Sequence, residues 1–77
     1  MPTVLRIGGL RFFFYSKEGN EPPHIHVEQD NDVAKFWLEP VELEPSYGFS
    51  AKSINQIRKL VIEHQTTLLQ TWHEYFN

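Results

Sequence analysis

The alternation of polar and apolar side chains that follows Pro22-Pro23 constrains the fold of this chain most strongly. Successive side chains of a strand point to opposite faces, so His24 and His26 share one face and apolar residues occupy the other. A second strand-like run follows a short polar turn. The pattern therefore predicts a β-hairpin built from residues 24–28 and 33–38.

Burial selects the register of this hairpin. Pairing Glu28 with Val33 places Ile25 opposite Phe36 and gathers the apolar side chains on one face. A shift by one residue would instead place His26 against Phe36 in the core, which is unfavourable. The other face, which we expect to be exposed to solvent, then carries His26 opposite Lys35 and His24 opposite Trp37.

A second hairpin is predicted at the amino terminus. Gly8-Gly9 separates the apolar runs 3–7 and 10–15, and paired glycines suit a tight turn because its residues need positive φ. The resulting register places Arg6 directly opposite Arg11. On one face it pairs Leu5 with Phe12 and Ile7 with Leu10, and on the other face, which carries the arginines, it sets Val4 near Phe13.

The remaining chain is predicted to add a short edge strand and two helices. Pro40 has no backbone N–H to donate to a strand ladder, so it interrupts the preceding strand, and Val41–Glu44 is predicted as a short edge strand. Pro45–Gly48 is predicted as a turn. Ser50 suits a helix N-cap, and Thr66-Thr67 favours a break between two helices. Apolar residues at helical spacing continue almost to the carboxyl terminus. The predicted helices cover residues 50–63 and 66–76.

These elements predict a single α+β domain over residues 1–77: two antiparallel β-hairpins forming one sheet, with two C-terminal helices packed on one face. Its small size makes help from a homodimer or a partner protein plausible. The absence of cysteine excludes disulfides and thiolate zinc sites. No run is long and apolar enough to span a membrane and no secretory leader is visible, so a cytoplasmic protein is expected.

The charge distribution is uneven although the net charge is only −3. Residues 1–17 carry three basic side chains and no acid, whereas all ten acids lie in the remaining 60 residues. A net acidic chain argues against strong nonspecific binding to nucleic acid. The basic amino-terminal segment still provides a local site for phosphate.

The histidine pair is the candidate catalytic feature. One imidazole can accept a proton while the other donates one, which is the equipment for cleaving RNA through its 2′-hydroxyl without a cofactor. Two histidines that are two positions apart on a strand can also ligate a metal ion, with Glu28 as the nearest third ligand and His64 or His73 as remote ones. The alternative is a pair of surface histidines with no chemical role.

Four further side chains are candidates for substrate binding. Like charges directly opposite one another are destabilising, so Arg6 and Arg11 require either an anionic ligand or a carboxylate. Lys35 and Trp37 share the histidine face, where the ammonium would steady a phosphate and the ring would stack on a base. Alternatively, Lys35 is solvated and Trp37 covers the edge of the core.

Several motifs together resemble one family of small bacterial proteins. They are Met1-Pro-Thr-Val-Leu-Arg-Ile-Gly8, Arg11-Phe-Phe-Phe-Tyr15, Glu21-Pro-Pro-His-Ile-His-Val27, Ala34-Lys-Phe-Trp-Leu-Glu-Pro40 and Trp72-His-Glu-Tyr-Phe76. The family is domain-of-unknown-function family 4160. The resemblance implies the toxin of a type II toxin–antitoxin pair, with an antitoxin from the family numbered 2442.

The leading hypothesis from the sequence is therefore a toxin that cleaves RNA or inhibits translation without a metal or other cofactor. His24 and His26 would act as acid and base, and the bound substrate would contact Arg6, Arg11, Lys35 and Trp37. Two alternatives stay open. One is a non-enzymatic module that docks a partner protein, and the other is a metal-dependent hydrolase with a His-x-His site.

Overall fold

The computed structural model describes residues 3–76, and of residues 45–47 the backbone alone. Five antiparallel strands form one open sheet in which each strand pairs with the next along the chain, and two helices follow. The predicted α+β architecture is confirmed. The elements are β1 (Thr3–Ile7), β2 (Leu10–Phe13), β3 (His24–Gln29), β4 (Asp32–Leu38), β5 (Val41–Tyr47), α1 (Ala51–Glu63) and α2 (Gln65–Phe76).

Both predicted hairpins form, and their central registers are those that burial selected. In the first turn Gly8 has a φ of 58°, which glycine adopts without steric cost. The confirmed pairs are Leu5 with Phe12, Arg6 with Arg11 and Ile7 with Leu10 in β1–β2, and His24 with Trp37, Ile25 with Phe36, His26 with Lys35 and Glu28 with Val33 in β3–β4. One outer pair was wrong: an irregularity in β1 puts Thr3, rather than Val4, opposite Phe13.

The fifth strand is longer than predicted, because residues 45–47, which were predicted to lie in a turn, belong to it. Lys35 pairs with Glu44 and Val33 pairs with Tyr47, so two residues of β5 lie opposite one residue of β4. Pro45 falls in this bulge on an edge strand, where its missing N–H removes no essential ladder bond. The proline therefore does not end the strand.

One sheet face packs against the helices and forms the core. Phe12, Ile25, Val27 and Phe36 are fully buried or nearly so, and they meet the apolar seam of the helices. The buried helical side chains of this core are Ile54, Ile57, Val61, Leu68 and Trp72. The opposite face of β3 consequently carries the histidines, because side chains alternate along a strand.

The two helices begin and end close to their predicted bounds. Ser50 caps α1, because its hydroxyl accepts a hydrogen bond of 3.1 Å from the backbone amide of Ser53. The predicted break is confirmed at His64, the C-cap of α1. Within residues 3–76 no helix has the length and hydrophobicity needed to cross a bilayer.

Candidate functional site

The side chains on the sheet face opposite the core converge at the end where β3 begins. His26 lies opposite Phe13 of β2 on one side and Lys35 of β4 on the other. His24 lies opposite Trp37, one step closer to the end of the sheet. The connection between β2 and β3 folds over this face and brings acidic side chains to it.

Glu18 of this connection contacts both histidines. Its Oε2 lies 2.9 Å from Nε2 of His24 and 3.1 Å from Nε2 of His26. Its Oε1 accepts a hydrogen bond of 2.8 Å from the backbone amide of Tyr15 and also lies 3.1 Å from Nε2 of His26. The carboxylate is therefore oriented by the chain itself and faces two imidazoles.

His24 is fully buried, so the prediction of a solvent-exposed ring at this position was wrong. The end of α2 reaches past the end of the sheet, where the Trp72 ring packs 4.8 Å from the His24 ring, centroid to centroid. Trp37 packs on His24 as well, at 5.5 Å. Strand alternation correctly assigned His24 to its sheet face but could not reveal that a helix and a loop cover it.

The two ring nitrogens of His24 have different surroundings. Nδ1 lies 3.0 Å from the carbonyl oxygen of Pro22, and a carbonyl only accepts, so Nδ1 carries a proton. The neutral ring then presents a lone pair at Nε2. The close contact of Nε2 with Glu18 is not aligned as a hydrogen bond. Among the described side chains, those of residues 3–44 and 48–76, Nε2 is the only buried polar atom without a hydrogen-bond partner.

His26 is the more accessible histidine, with 13% of its side chain exposed. Its ring stacks on Phe13 and meets the edge of Tyr15. Glu18 has a similar exposed fraction, 15%. A ligand therefore reaches the cluster from the side of His26 and Glu18, next to the exposed Tyr15 ring.

Burial and hydrogen bonding shift the pKa values of two of these groups. Loss of solvent lowers the pKa of His26 below its ordinary value, and the nearby Glu18 carboxylate only partly offsets this. Burial acts to raise the pKa of Glu18, but the Tyr15 amide and the two histidines together outweigh it and lower this pKa. Near neutral pH the cluster therefore holds a carboxylate facing an uncharged His26.

The spacing of the three donor atoms is compatible with a metal centre. Glu18, His24 and His26 each offer a ligand atom, and these atoms all lie within 4.8 Å of one another. Ligands of a tetrahedral ion with bonds of about 2.0–2.1 Å are roughly 3.3 Å apart. The separations of 2.9 and 3.1 Å from Glu18 to the histidines are close to that value.

The third ligand predicted from the sequence was wrong. Glu28 shares the histidine face but forms an ion pair of 2.7 Å with Arg11. Glu18 takes the place expected for Glu28. The sequence places Glu18 in the loop between two adjacent antiparallel strands, but this position does not distinguish it from Glu21 of the same loop, which pairs with Lys35 instead.

The two predicted arginines occupy different environments. Besides Glu28, Arg11 contacts the hydroxyl of Thr3 at 3.1 Å and lies over the Phe13 ring at 4.2 Å. Arg6 lies directly opposite Arg11 and is exposed. The repulsion between the two is thus relieved by a carboxylate, one of the two compensations that the sequence allowed.

Lys35 also forms an ion pair with a carboxylate, and Trp37 forms a hydrogen bond with a different carboxylate. Nζ of Lys35 lies 3.0 Å from Glu21 of the β2–β3 connection and 4.4 Å from the centroid of the Trp37 ring. Nε1 of Trp37 donates to Glu44. The structure therefore places these residues on one face with the histidines, but carboxylates already neutralise Arg11 and Lys35.

The fold and the site define a small α+β protein with two histidines and one carboxylate clustered at the end of an open antiparallel sheet. The chain belongs to the family described as Domain of unknown function (DUF4160), whose sequence model matches residues 9–73. The matched segment contains Glu18, His24 and His26. Neither the curated proteins nor the solved structures contain a match to this chain.

Proposed function

We propose that this protein binds a divalent transition-metal ion through Glu18, His24 and His26, and that it acts as a metal-dependent hydrolase. One observation carries the proposal. The buried Nε2 of His24 has no hydrogen-bond partner, and it lies within 4.8 Å of ligand atoms of Glu18 and His26. A buried polar atom that is left unsatisfied is costly, and a bound ion would remove that cost.

The donor set indicates which ions suit the site. Two imidazoles and a carboxylate suit zinc and the neighbouring first-row ions better than magnesium or calcium, which prefer oxygen ligands. Three protein ligands also leave a coordination position open, as in catalytic rather than structural zinc sites. Glu18, His24 and His26 would hold such an ion, and the chemistry that it would supply there is activation of water for hydrolysis near neutral pH.

Hydrogen bonds with the backbone orient two of the proposed ligands. The Pro22 carbonyl holds the proton of His24 on Nδ1, which is the outer hydrogen bond that metal-binding histidines commonly make. The Tyr15 amide orients Glu18. Coordination by His26 requires a lone pair at Nε2, so any proton that this atom shares with Glu18 must move to Nδ1 or leave.

Metal-independent cleavage of RNA has less support. Acid–base catalysis requires each catalytic group to come within hydrogen-bond reach of the substrate. His24 has no exposed surface, and both its nitrogens face protein atoms. Arg11 and Lys35 would have to leave Glu28 and Glu21 before they could bind phosphate.

The biological role remains a proposal that rests on the family resemblance. We propose a cytoplasmic toxin whose partner is an antitoxin of the family numbered 2442, with RNA as one candidate substrate of the metal-dependent activity. A homodimer and a non-enzymatic docking role stay open alongside it. No observation at the histidine cluster favours docking over catalysis.

Metal titration of the purified chain tests the proposal. After chelation and buffer exchange, Zn²⁺ and Co²⁺ should each bind with a stoichiometry of one, and Co²⁺ should give visible bands of low-coordinate geometry. Glu18→Gln and His26→Gln should each weaken binding by more than about 100-fold, because even loss of an outer-shell partner costs about 10–100-fold. His73→Gln, at an exposed histidine of α2, should bind as the wild type does.

Activity is measured on the same samples with bis(4-nitrophenyl) phosphate and with an RNA oligonucleotide. The metal-loaded chain should cleave at least one of these phosphodiesters, and chelation should abolish the cleavage. Absence of binding, or equal loss in His73→Gln, would overturn the metal site. Binding of the ion without cleavage of either substrate would overturn hydrolysis of phosphodiesters.

A further inference from the structure

The last turn of α2 contacts the loop that carries Glu18. A Cβ atom added to Gly19 would lie 2.5 Å from Cδ1 of Phe76, a distance at which real Cβ atoms are essentially never found, and 3.0 Å from its Cγ. The φ of Gly19 is outside the left-handed region. A Cβ at this position would therefore force the Phe76 ring or the loop to shift, and the cause is the close approach of the ring rather than the backbone conformation.

The Phe76 ring is itself held in place by neighbouring rings. It packs 4.4 Å from Trp72, one helical turn earlier, and 5.4 Å from Phe14, centroid to centroid. Trp72 also packs on His24. The last turn of α2 thus contacts the His24 ring through Trp72, and through Phe76 it contacts the residue next to Glu18.

The loop's own hydrogen bonds do not fix how far Glu18 lies from β3. The backbone bonds from Glu18 to Tyr15 and from Glu21 to Glu18 stay within the loop. They shape the turn, but the turn could still tilt relative to the sheet. Two contacts from other elements limit this tilt: the ion pair of Glu21 with Lys35 of β4, and the Phe76 ring, which packs against the backbone of Gly19 next to Glu18.

We propose that Phe76 is a positioning residue, which acts through Gly19 to hold the Glu18 carboxylate at coordinating distance from His24 and His26. A coordination site has to be held to within about 0.5 Å by the surrounding packing. A loop ligand meets this requirement only if another element supports it. The inference rests on the proposed metal function, and its test separates the two.

A double-mutant cycle on Co²⁺ affinity tests this role. Gly19→Ala in the wild-type background should weaken binding by about 10–100-fold, as loss of an outer-shell contact does. Phe76→Ala removes the ring and should weaken binding as well. In the Phe76→Ala background, however, Gly19→Ala should cost less than about twofold, since the methyl group no longer meets the ring.

The controls separate positioning from a general loss of stability. Asn20→Ala, at the exposed next residue of the loop, should leave Co²⁺ affinity unchanged. Thermal unfolding of each metal-free variant reports its stability, and Leu69→Ala, at a half-buried position of α2, shows how affinity responds to destabilisation alone. A cost of Gly19→Ala that is equal in both backgrounds, or absent in the wild type, would overturn the positioning role.

A second measurement does not depend on metal. The ¹⁵N shifts of the His26 ring in the metal-free chain report its contact with Glu18. They should change in Gly19→Ala and in Phe76→Ala, and change no further in the double variant. If the wild type binds no Co²⁺ but the ring shifts follow this cycle, the proposed function fails while the positioning of Glu18 by Phe76 stands. If neither substitution changes the ring shifts, the positioning of Glu18 by Phe76 is contradicted.

Discussion

Identical side chains two positions apart on one strand have acquired different properties in this protein. His24 is sealed between Trp37, Trp72 and the loop, so its ring is fixed. His26 retains contact with solvent and shares Glu18 with its neighbour. In the proposed metal site, His24 would be the rigid ligand and His26 the accessible one, on the side from which a substrate would arrive.

The pKa values predict how the metal-free chain responds to acid. The pKa values of His26 and Glu18 both lie below their ordinary values of 6.5 and 4.5. In each case the unfolded chain takes up its proton at higher pH than the folded chain. The free energy of unfolding should therefore fall as pH drops below about 6.5, and fall again below about 4.5.

Urea unfolding at a series of pH values, with chelator present, measures this dependence. His26→Gln should abolish the change that begins near pH 6.5 and retain the more acidic one, because glutamine does not titrate. His73→Gln should retain both changes, since His73 is exposed. A first change that survives in His26→Gln would assign it to another group.

At the scale of elements, the contacts between segments matter more for the site than any single strand or helix. β3 supplies two donors, but the β2–β3 connection supplies the third, and the end of α2 buries the first donor. The same connection also neutralises Lys35 through Glu21. The placement of α2 against the sheet therefore affects both the shape and the charge of the site.

The start of α1 provides a test of element stability away from the site. Ser50 satisfies the free amide of Ser53, so Ser50→Ala should lower the free energy of unfolding by about 1 kcal/mol. For a domain of this size the melting temperature should fall by about 4–8 °C, as followed by circular dichroism. Ser50→Asp keeps a capping oxygen and should unfold near the wild-type temperature. An unchanged melting temperature in Ser50→Ala would show that the cap contributes nothing.

At the scale of the whole molecule, a bound ion would join two segments of a chain that has no disulfide to do so. The ion would connect the loop to β3 and, through the packing of Trp72 and Phe76, would support the end of α2. An ion that binds only the folded chain stabilises that state by mass action. Metal binding and folding are then coupled.

This coupling predicts a metal-dependent melting temperature. Zn²⁺ at about 100 times its dissociation constant should add about 2.7 kcal/mol to the free energy of unfolding, which corresponds to a rise of about 10–20 °C. Scanning calorimetry with increasing Zn²⁺ measures the rise. Glu18→Gln should show almost none, while His73→Gln should show all of it. A melting temperature independent of Zn²⁺ in the wild type would contradict coupled binding.

The sequence by itself determined the two hairpins, their central registers, the helix break and the sheet face of each histidine. These features follow from local rules, since alternation, turn chemistry and burial act between residues that are near in sequence or directly paired. The sequence wrongly predicted that the strand ends before Pro45, because a bulge on an edge strand depends on which strand pairs with it.

Only the tertiary structure decided that His24 is buried, that Glu18 rather than Glu28 joins the histidines, and that Phe76 supports the loop. Each of these depends on how a loop and a helix end are placed against a sheet. That placement is set by the packing of many apolar side chains at once, and no short sequence pattern encodes it.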